Sequence, residues 1–344
     1  MRWLSDRTVQ HLRRVAEWPD LGETKYRLLE ELGHGGMGTV YLAEDSVLGR
    51  RVALKVIATS AARPGAAERM WNEARVLARL EHPGIVPVHD AGALPDGRIF
   101  YAMKRVDGKR LDELAPAMPV AERLRTFRRI CEAVAFAHDR GVVHRDLKPE
   151  NVMVGPFGEV LVMDWGVAKA LDGSGPAHTS EGAPSAAAQT AQGLVVGTLS
   201  YMAPEQAEGA AERIGKPADV YALGAILHFL LTGRAPFDGE AADRRARGGA
   251  RAEPPPPSRI DPGVAPALEA IVLRAMAVEP AGRYATVEDL SADVGRFLDG
   301  DRVLAHREGL AARARRVFTR YQTPILIVAA YLVMRAVVFL YGRR

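Results

Sequence analysis

The eight residues His144-Arg145-Asp146-Leu147-Lys148-Pro149-Glu150-Asn151 constrain this chain more than any other stretch does. Pro149 disfavours helix for the residue before it, so a carboxylate, an ammonium and a carboxamide are gathered on a loop. Phosphoryl transfer uses groups of those three kinds: a carboxylate takes a hydroxyl proton, an ammonium steadies a phosphate, and an amide oxygen holds a metal. Asp146, Lys148 and Asn151 are the candidates. A polar turn whose Asp and Asn cap their own backbone carries the same residue types, so the loop is weighed by what surrounds it.

The chain has 344 residues, enough for one two-lobed domain or for two domains with a tail. A formal charge of +4 with 26% charged residues is too weakly basic to argue for a nucleic-acid partner, and none is expected. Cys131 is the only cysteine, which excludes an intramolecular disulfide framework and a Cys-rich metal site. No apolar export segment follows Met1, and residues 1–25 read as an N-terminal extension.

Residues 26–32 and 39–43 read as strands joined by Gly33-His34-Gly35-Gly36-Met37-Gly38. A dinucleotide-binding fingerprint opens a helix, whereas the β-branched Thr39 and Val40 continue this one as a strand. The glycines therefore suit a flap whose backbone N–H groups approach phosphate oxygens. Residues 51–57 form a third strand, apolar except for Lys55 after its first position, and a helix over 66–80 turns Met70, Ala74 and Leu77 inward with Glu73 on or beside that face. Glu73 is the natural counter-ion for Lys55. Two more strands are expected at 91–94 and 99–103, and the short polar stretch 104–108 marks a boundary between lobes. Beyond it a helix over 120–140 leads into the polar loop, and a hairpin over 151–154 and 160–163 ends at Asp164-Trp165-Gly166. Asp164 beside Asn151 completes an oxygen-ligand site of the kind that suits Mg²⁺. Helices near 218–227, 267–277 and 287–298 close the second lobe.

The ordered set formed by the glycine-rich loop with Val40, Val52-Ala53-Leu54-Lys55, Glu73, the 144–151 loop, Asp164-Trp165-Gly166 and Ala203-Pro204-Glu205 resembles the bacterial eukaryotic-type (Hanks-type) Ser/Thr protein kinases over residues 26–298. The resemblance implies an α+β, two-lobed protein-kinase fold with a β-rich N-lobe (26–103), a hinge (104–108) and a helical C-lobe (109–298). It implies ATP as phosphoryl donor, Mg²⁺ or alternatively Mn²⁺ as the metal, and Ser or Thr of protein substrates as acceptor. On the same resemblance Asp146 would deprotonate the hydroxyl, Lys148 would neutralise the γ-phosphate, and Lys55, paired with Glu73, would hold the α- and β-phosphates. Asn151 and Asp164 would bind metal. Gly33, His34, Gly35, Gly36, Met37 and Gly38 would cover the phosphates, Met103 would be the gatekeeper, and Val40, Ala53 and Met153 would sandwich adenine. The main chain of Lys104 and Val106 would hydrogen-bond that ring. Glu205 and Arg283 would form a buried ion pair, and Asp219 would bond the catalytic-loop backbone. Trp165 stands where the family most often has Phe, from which altered packing and retained catalysis are expected. A catalytically silent scaffold and a metabolite kinase are the rival readings; the presence of Lys55, Asp146, Asn151 and Asp164 weighs against the first, and the platform-like 198–205 stretch against the second.

Residues 167–199 are rich in Gly, Pro and Ala, with hydroxyls that include Thr179, Ser180, Ser185, Thr190 and Thr198. Such composition buries too little apolar surface to order unaided. It reads as an activation loop whose phosphates pair with Arg145, filled by autophosphorylation in trans within a homodimer, or else as an inert linker. Residues 299–323 are a basic juxtamembrane segment, and 324–341 are expected to form a single-pass transmembrane helix that leaves the kinase domain on the cytoplasmic side of the inner membrane. Residues 325–340 reach about 24 Å against a core of roughly 30 Å, and Arg335 interrupts them, so an interfacial or protein-packed helix is the alternative.

Overall fold

The computed structural model describes residues 18–35, 38–57, 66–165, 169–170, 199–208, 214–237, 252–307, 309 and 322–341. The N-lobe is built on β1 (Tyr26–Gly35), β2 (Gly38–Asp45), β3 (Arg50–Val56), α1 (Ala66–Ala78), β4 (Val88–Ala93) and β5 (Ile99–Lys104). The strands form one antiparallel sheet in the order β1-β2-β3-β5-β4.

Strand side chains alternate between faces, and here both faces are covered, which is why β3 reads as almost continuously apolar. Val52, Leu54 and Val56 pack with Tyr26, Tyr41, Phe100 and Leu21 on one side. Ala53 and, from β5, Tyr101 and Met103 face the other, against Met70, Ala74 and Leu77 of α1. Lys55 shares the parity of Ala53, so the alternation alone delivers its ammonium to the α1 side. Gly38 opens β2 where a Cβ would run into the Val56 carbonyl, so the flap meets β3 only through a glycine.

Strand β4 starts at Val88, earlier than the residue-91 start expected from the sequence. It is an edge strand with a register shift between Val88 and Asp90, and its half-exposed side chains hide the period-2 signal.

In the C-lobe α2 (Val120–Asp139) buries Leu124, Phe127, Ile130, Cys131 and Val134, and leads towards the catalytic loop. The hairpin of β6 (Val152–Val154) and β7 (Val160–Val162) follows that loop, paired Val152 to Val162. Helix α3 (Lys216–Thr232) is buried nearly all round and ends at Gly233, whose left-handed φ of 72° suits a residue without a Cβ. Then come α4 (Pro266–Ala275) and α5 (Val287–Leu298), the latter capped by Thr286 Oγ1 accepting from the Asp289 N–H at 3.1 Å. Asp293 of α5, with no exposed side-chain surface, accepts from Tyr284 Oη, Arg296 and the amides of Leu304 and Ala305, and so ties the chain beyond the helix back to the lobe.

The C-terminal apolar run does form a helix, α6 (Gln322–Tyr341), whose described side chains, Leu326, Ile327, Val328, Leu332 and Val333 among them, are exposed. Among the described residues, however, no helix is long and apolar enough to cross a membrane. The expected transmembrane helix at 324–341 is corrected accordingly. The apolar run, residues 325–340, reaches about 24 Å against a bilayer core of roughly 30 Å, and Arg335 lies within it.

Candidate active site

The cross-strand register sets Lys55 of β3 opposite Tyr101 of β5, and α1 brings Glu73 to both. Lys55 Nζ donates to Glu73 Oε1 at 2.8 Å and to Asp164 Oδ1 at 2.9 Å. Lys55 and Glu73 are buried, whereas the Asp164 side chain keeps 51% of its surface exposed. Burial works against the Lys55 charge, but the oxygens of Tyr101, Glu73 and Asp164 outweigh it and hold the ammonium well above its ordinary pKa. Burial likewise raises the Asp164 carboxyl, and the Lys55 ammonium more than reverses this, keeping it ionised below the usual range.

The catalytic loop is held from beneath by Asp219 of α3, which accepts from the His144 amide at 2.8 Å, the Arg145 amide at 2.9 Å and His138 Nε2 at 2.8 Å. His144 is wholly buried; its Nδ1 accepts from the Asp146 amide at 3.2 Å and its Nε2–H donates to the Met163 carbonyl at 3.0 Å. The imidazole thus joins the catalytic loop to the strand that delivers Asp164. Arg145 and Asp164 both have left-handed backbones, φ 70° and 55°. Strain of this sort costs about 1–3 kcal/mol per residue and persists only where the surroundings impose it, as Asp219 and His144 do here.

Asp146 lies at the surface of this frame. Its Oδ2 accepts from Lys148 Nζ at 3.0 Å and from Asn151 Nδ2 at 3.1 Å, and Asn151 Nδ2 also reaches the Asp146 carbonyl at 2.7 Å. Spending its nitrogen on Asp146 turns the Asn151 amide oxygen the other way, as a metal ligand requires. Among the described residues no cluster of three or more His, Cys, Asp or Glu could cage a metal alone. Asn151 and the half-exposed Asp164 fit the other arrangement, in which a hard divalent cation takes one or two protein oxygens and completes its shell with phosphates and water.

Trp165 is wholly buried, packs against His144 with ring centroids 4.5 Å apart and planes tilted by 54°, and donates from Nε1 to the Val162 carbonyl at 3.2 Å. Phe could not make that bond. Arg145 reaches the Ile214 carbonyl at 3.4 Å, while its buried Nε has no hydrogen-bond partner among the described residues. Burial lowers the pKa of this guanidinium against the pull of Asp219. The hydroxyls Thr179, Ser180, Ser185, Thr190 and Thr198, like Gly36 and Met37 of the flap, lie outside the described residues.

Under the site, Arg283 grips both Glu205 oxygens at 2.7 and 2.8 Å. Of the residues expected around adenine, Ala53 lies directly opposite Met103 across the strands, and Val40 and Val106 pack against the same core. The Lys104 amide donates to the Pro87 carbonyl at 3.0 Å, so of its main chain only the carbonyl can serve the adenine ring. A separate open hollow of about 410 Å³ lined by Trp18, Leu21, Lys25 and Tyr26 contains none of these residues.

Three contributors escape sequence reasoning. Tyr101 donates to Glu73 at 2.7 Å, His138 supports Asp219, and Gln206 Nε2 donates to the Arg145 carbonyl at 2.7 Å. Tyr101 sits in an apolar strand and His138 on a core helix, where each reads as packing. Gln206 follows Glu205 directly, the one positional hint available.

The site and the two lobes define an enzyme class that positions a nucleotide phosphate against a hydroxyl. Residues 26–288 match the protein kinase domain, and the chain belongs to that family. It is 38% identical over 284 residues to the serine/threonine-protein kinase PrkC of Bacillus subtilis, an alignment covering 81% of this chain and 41% of PrkC. It is 40% identical over 283 residues to the serine/threonine-protein kinase PknB of Mycolicibacterium smegmatis, covering 80% and 43%. The crystal structure of the PknI kinase domain from Mycobacterium tuberculosis superposes with a TM-score of 0.61 at 29% identity, covering 80% of this chain and 96% of that one. The chain spans about two fifths of the length of the curated relatives it matches.

Proposed function

We propose that this protein transfers the γ-phosphoryl group of ATP to Ser or Thr hydroxyls of protein substrates, using Mg²⁺. The observation that carries the reading is the Asp146 carboxylate, partly exposed and oriented by both Lys148 and Asn151. Asp146 takes the acceptor proton, Lys148 stays beside it as the positive charge for the moving phosphoryl group, and Lys55 holds the donor phosphates. Mg²⁺, when bound, neutralises charge developing on the phosphates. A scaffold that binds nucleotide without turnover has no use for this arrangement.

Regulation by phosphates on the 167–199 segment, placed there in trans by a second copy, is supported by the half-buried Arg145 guanidinium, whose Nε has no hydrogen-bond partner among the described residues, beside Asp146. Residence at the cytoplasmic face of a membrane is supported by the exposed apolar side chains of α6 and the arginines before it. Flotation of the full chain with anionic vesicles tests the latter, and recovery only in the unbound fraction would dismiss it.

The deciding experiment is Mg²⁺- and ATP-dependent phosphate incorporation by the full chain into itself and a generic protein acceptor, beside Asp146→Asn. Incorporation on Ser or Thr by the wild type, reduced at least about 10²-fold in the variant, is expected. Nucleotide binding with no incorporation under any activating condition would favour the scaffold.

A further inference from the structure

We infer that Tyr101 is a positioning residue that holds Glu73 against Lys55 from the sheet, so that the phosphate-gripping ammonium is set before nucleotide arrives. The inference rests on the kinase reading and adds a member to its site. Tyr101 Oη donates to Glu73 Oε1 at 2.7 Å, the same oxygen that accepts from Lys55 Nζ at 2.8 Å. The ammonium lies 5.7 Å from the Tyr101 ring centroid, so the ring lends it electrostatic support. All three side chains are buried, Tyr101 to 1% exposure.

The geometry separates two jobs. Lys55 also contacts Asp164, and phosphate oxygens will compete for its N–H groups when nucleotide binds. Every such contact weakens its hold on Glu73. Among the described residues Tyr101 has no second acceptor in this cluster, and its strand is hydrogen-bonded directly to that of Lys55, so it holds the Glu73 carboxylate over β3 and β5. Helix α1 is thereby tied to the sheet by a bond that nucleotide does not contest.

Tyr101→Phe removes the hydroxyl and keeps the ring. The loss of one hydrogen bond to a charged group should weaken MgADP binding and raise the KM for ATP about tenfold, with the KM for the protein acceptor nearly unchanged and stability lowered by the worth of that one bond. In a Glu73→Gln background the same substitution should add less than about twofold, because both act on one contact. An ATP KM within about twofold of wild type in Tyr101→Phe, or effects that multiply in the double variant, would overturn the assignment. MgADP affinity needs no turnover, so a wild type that binds nucleotide without phosphorylating anything overturns the kinase reading while Tyr101→Phe still decides this one. A wild type that binds no nucleotide overturns both.

Discussion

Two buried ion pairs, Arg283 with Glu205 at 2.7 Å and Lys55 with Glu73 at 2.8 Å, do opposite work in this molecule. Arg283 spends all five N–H donors, two on Glu205 and three on the carbonyls of Ala277, Pro217 and Val278. Its charge is balanced one to one, and its guanidinium lies over the Tyr221 ring at 5.0 Å. Lys55, in contrast, faces two carboxylates, Glu73 and Asp164, one of them half exposed. One positive charge against two negative ones leaves a local deficit that a cation from solution can fill. A saturated pair braces a fold; an unsaturated one waits for a ligand.

The largest effect should therefore come from breaking the saturated pair. Arg283→Ala leaves Glu205 buried and ionised without a partner, which costs about 3–5 kcal/mol. Urea unfolding should show the loss, and activity should vanish with the fold. Arg283→Lys sharpens the point: it keeps the charge but not the fork, and most of the destabilisation should remain. A lysine variant as stable as wild type would mean that charge alone suffices there.

The unsaturated pair should break the other way. Glu73→Gln leaves Lys55 its contact with Asp164, so the melting temperature should hardly move. Phosphate incorporation should still fall about 10²-fold, the scale for removing one preorganised electrostatic group. Loss of stability without loss of turnover would erase the distinction between the pairs.

Trp165→Phe should be milder than either. It removes the bond to the Val162 carbonyl and retains an aromatic ring against His144, for a loss of about 0.5–1.5 kcal/mol in stability and no more than a modest change in turnover. A collapse of activity would show that the indole bond alone keeps Asp164 in its left-handed turn.

What could be read from the sequence follows the same division. Lys55 stood out because an ammonium in an apolar strand demands a partner, and Glu73 because it lies at the edge of an apolar helical stripe. Arg283 offered no such local sign and entered only through the family resemblance. Its partners are carbonyls brought together by the fold, and carbonyls are the same in every residue. Tyr101, His138 and Gln206 were hidden for the same reason, since each looks like ordinary packing until the chain folds back on it. At the C-terminus the apolar run is legible and so is the helix it forms, but hydropathy expresses affinity for lipid better than reach, and among the described residues no helix is long and apolar enough to cross a membrane. Strand β4 starts at Val88, ahead of its sequence pattern, because an edge strand need not alternate.

The smallest effect at neutral pH is none at all, and it appears only on acidification. Burial raises the Asp219 carboxyl, but His138 and the amides of the catalytic loop outweigh it and hold its pKa below the ordinary value of 3.8. Asp293 is held below its ordinary 3.8 in the same way, by the amides of Leu304 and Ala305, Tyr284 and Arg296. A carboxyl whose pKa falls on folding contributes stability that is complete above the unfolded value and lost as pH drops through the folded one. Urea midpoints should thus be insensitive to these two groups from neutral pH down to about 5, then decline below about 4 as the unfolded chain takes up protons first. Asp293→Asn should flatten part of that decline without touching the catalytic loop, whereas Asp219→Asn should flatten it and also loosen the left-handed turn at Arg145. If both variants kept the full acid slope, folding would lower neither carboxyl's pKa, and the support beneath the catalytic loop would add no charge-dependent stability.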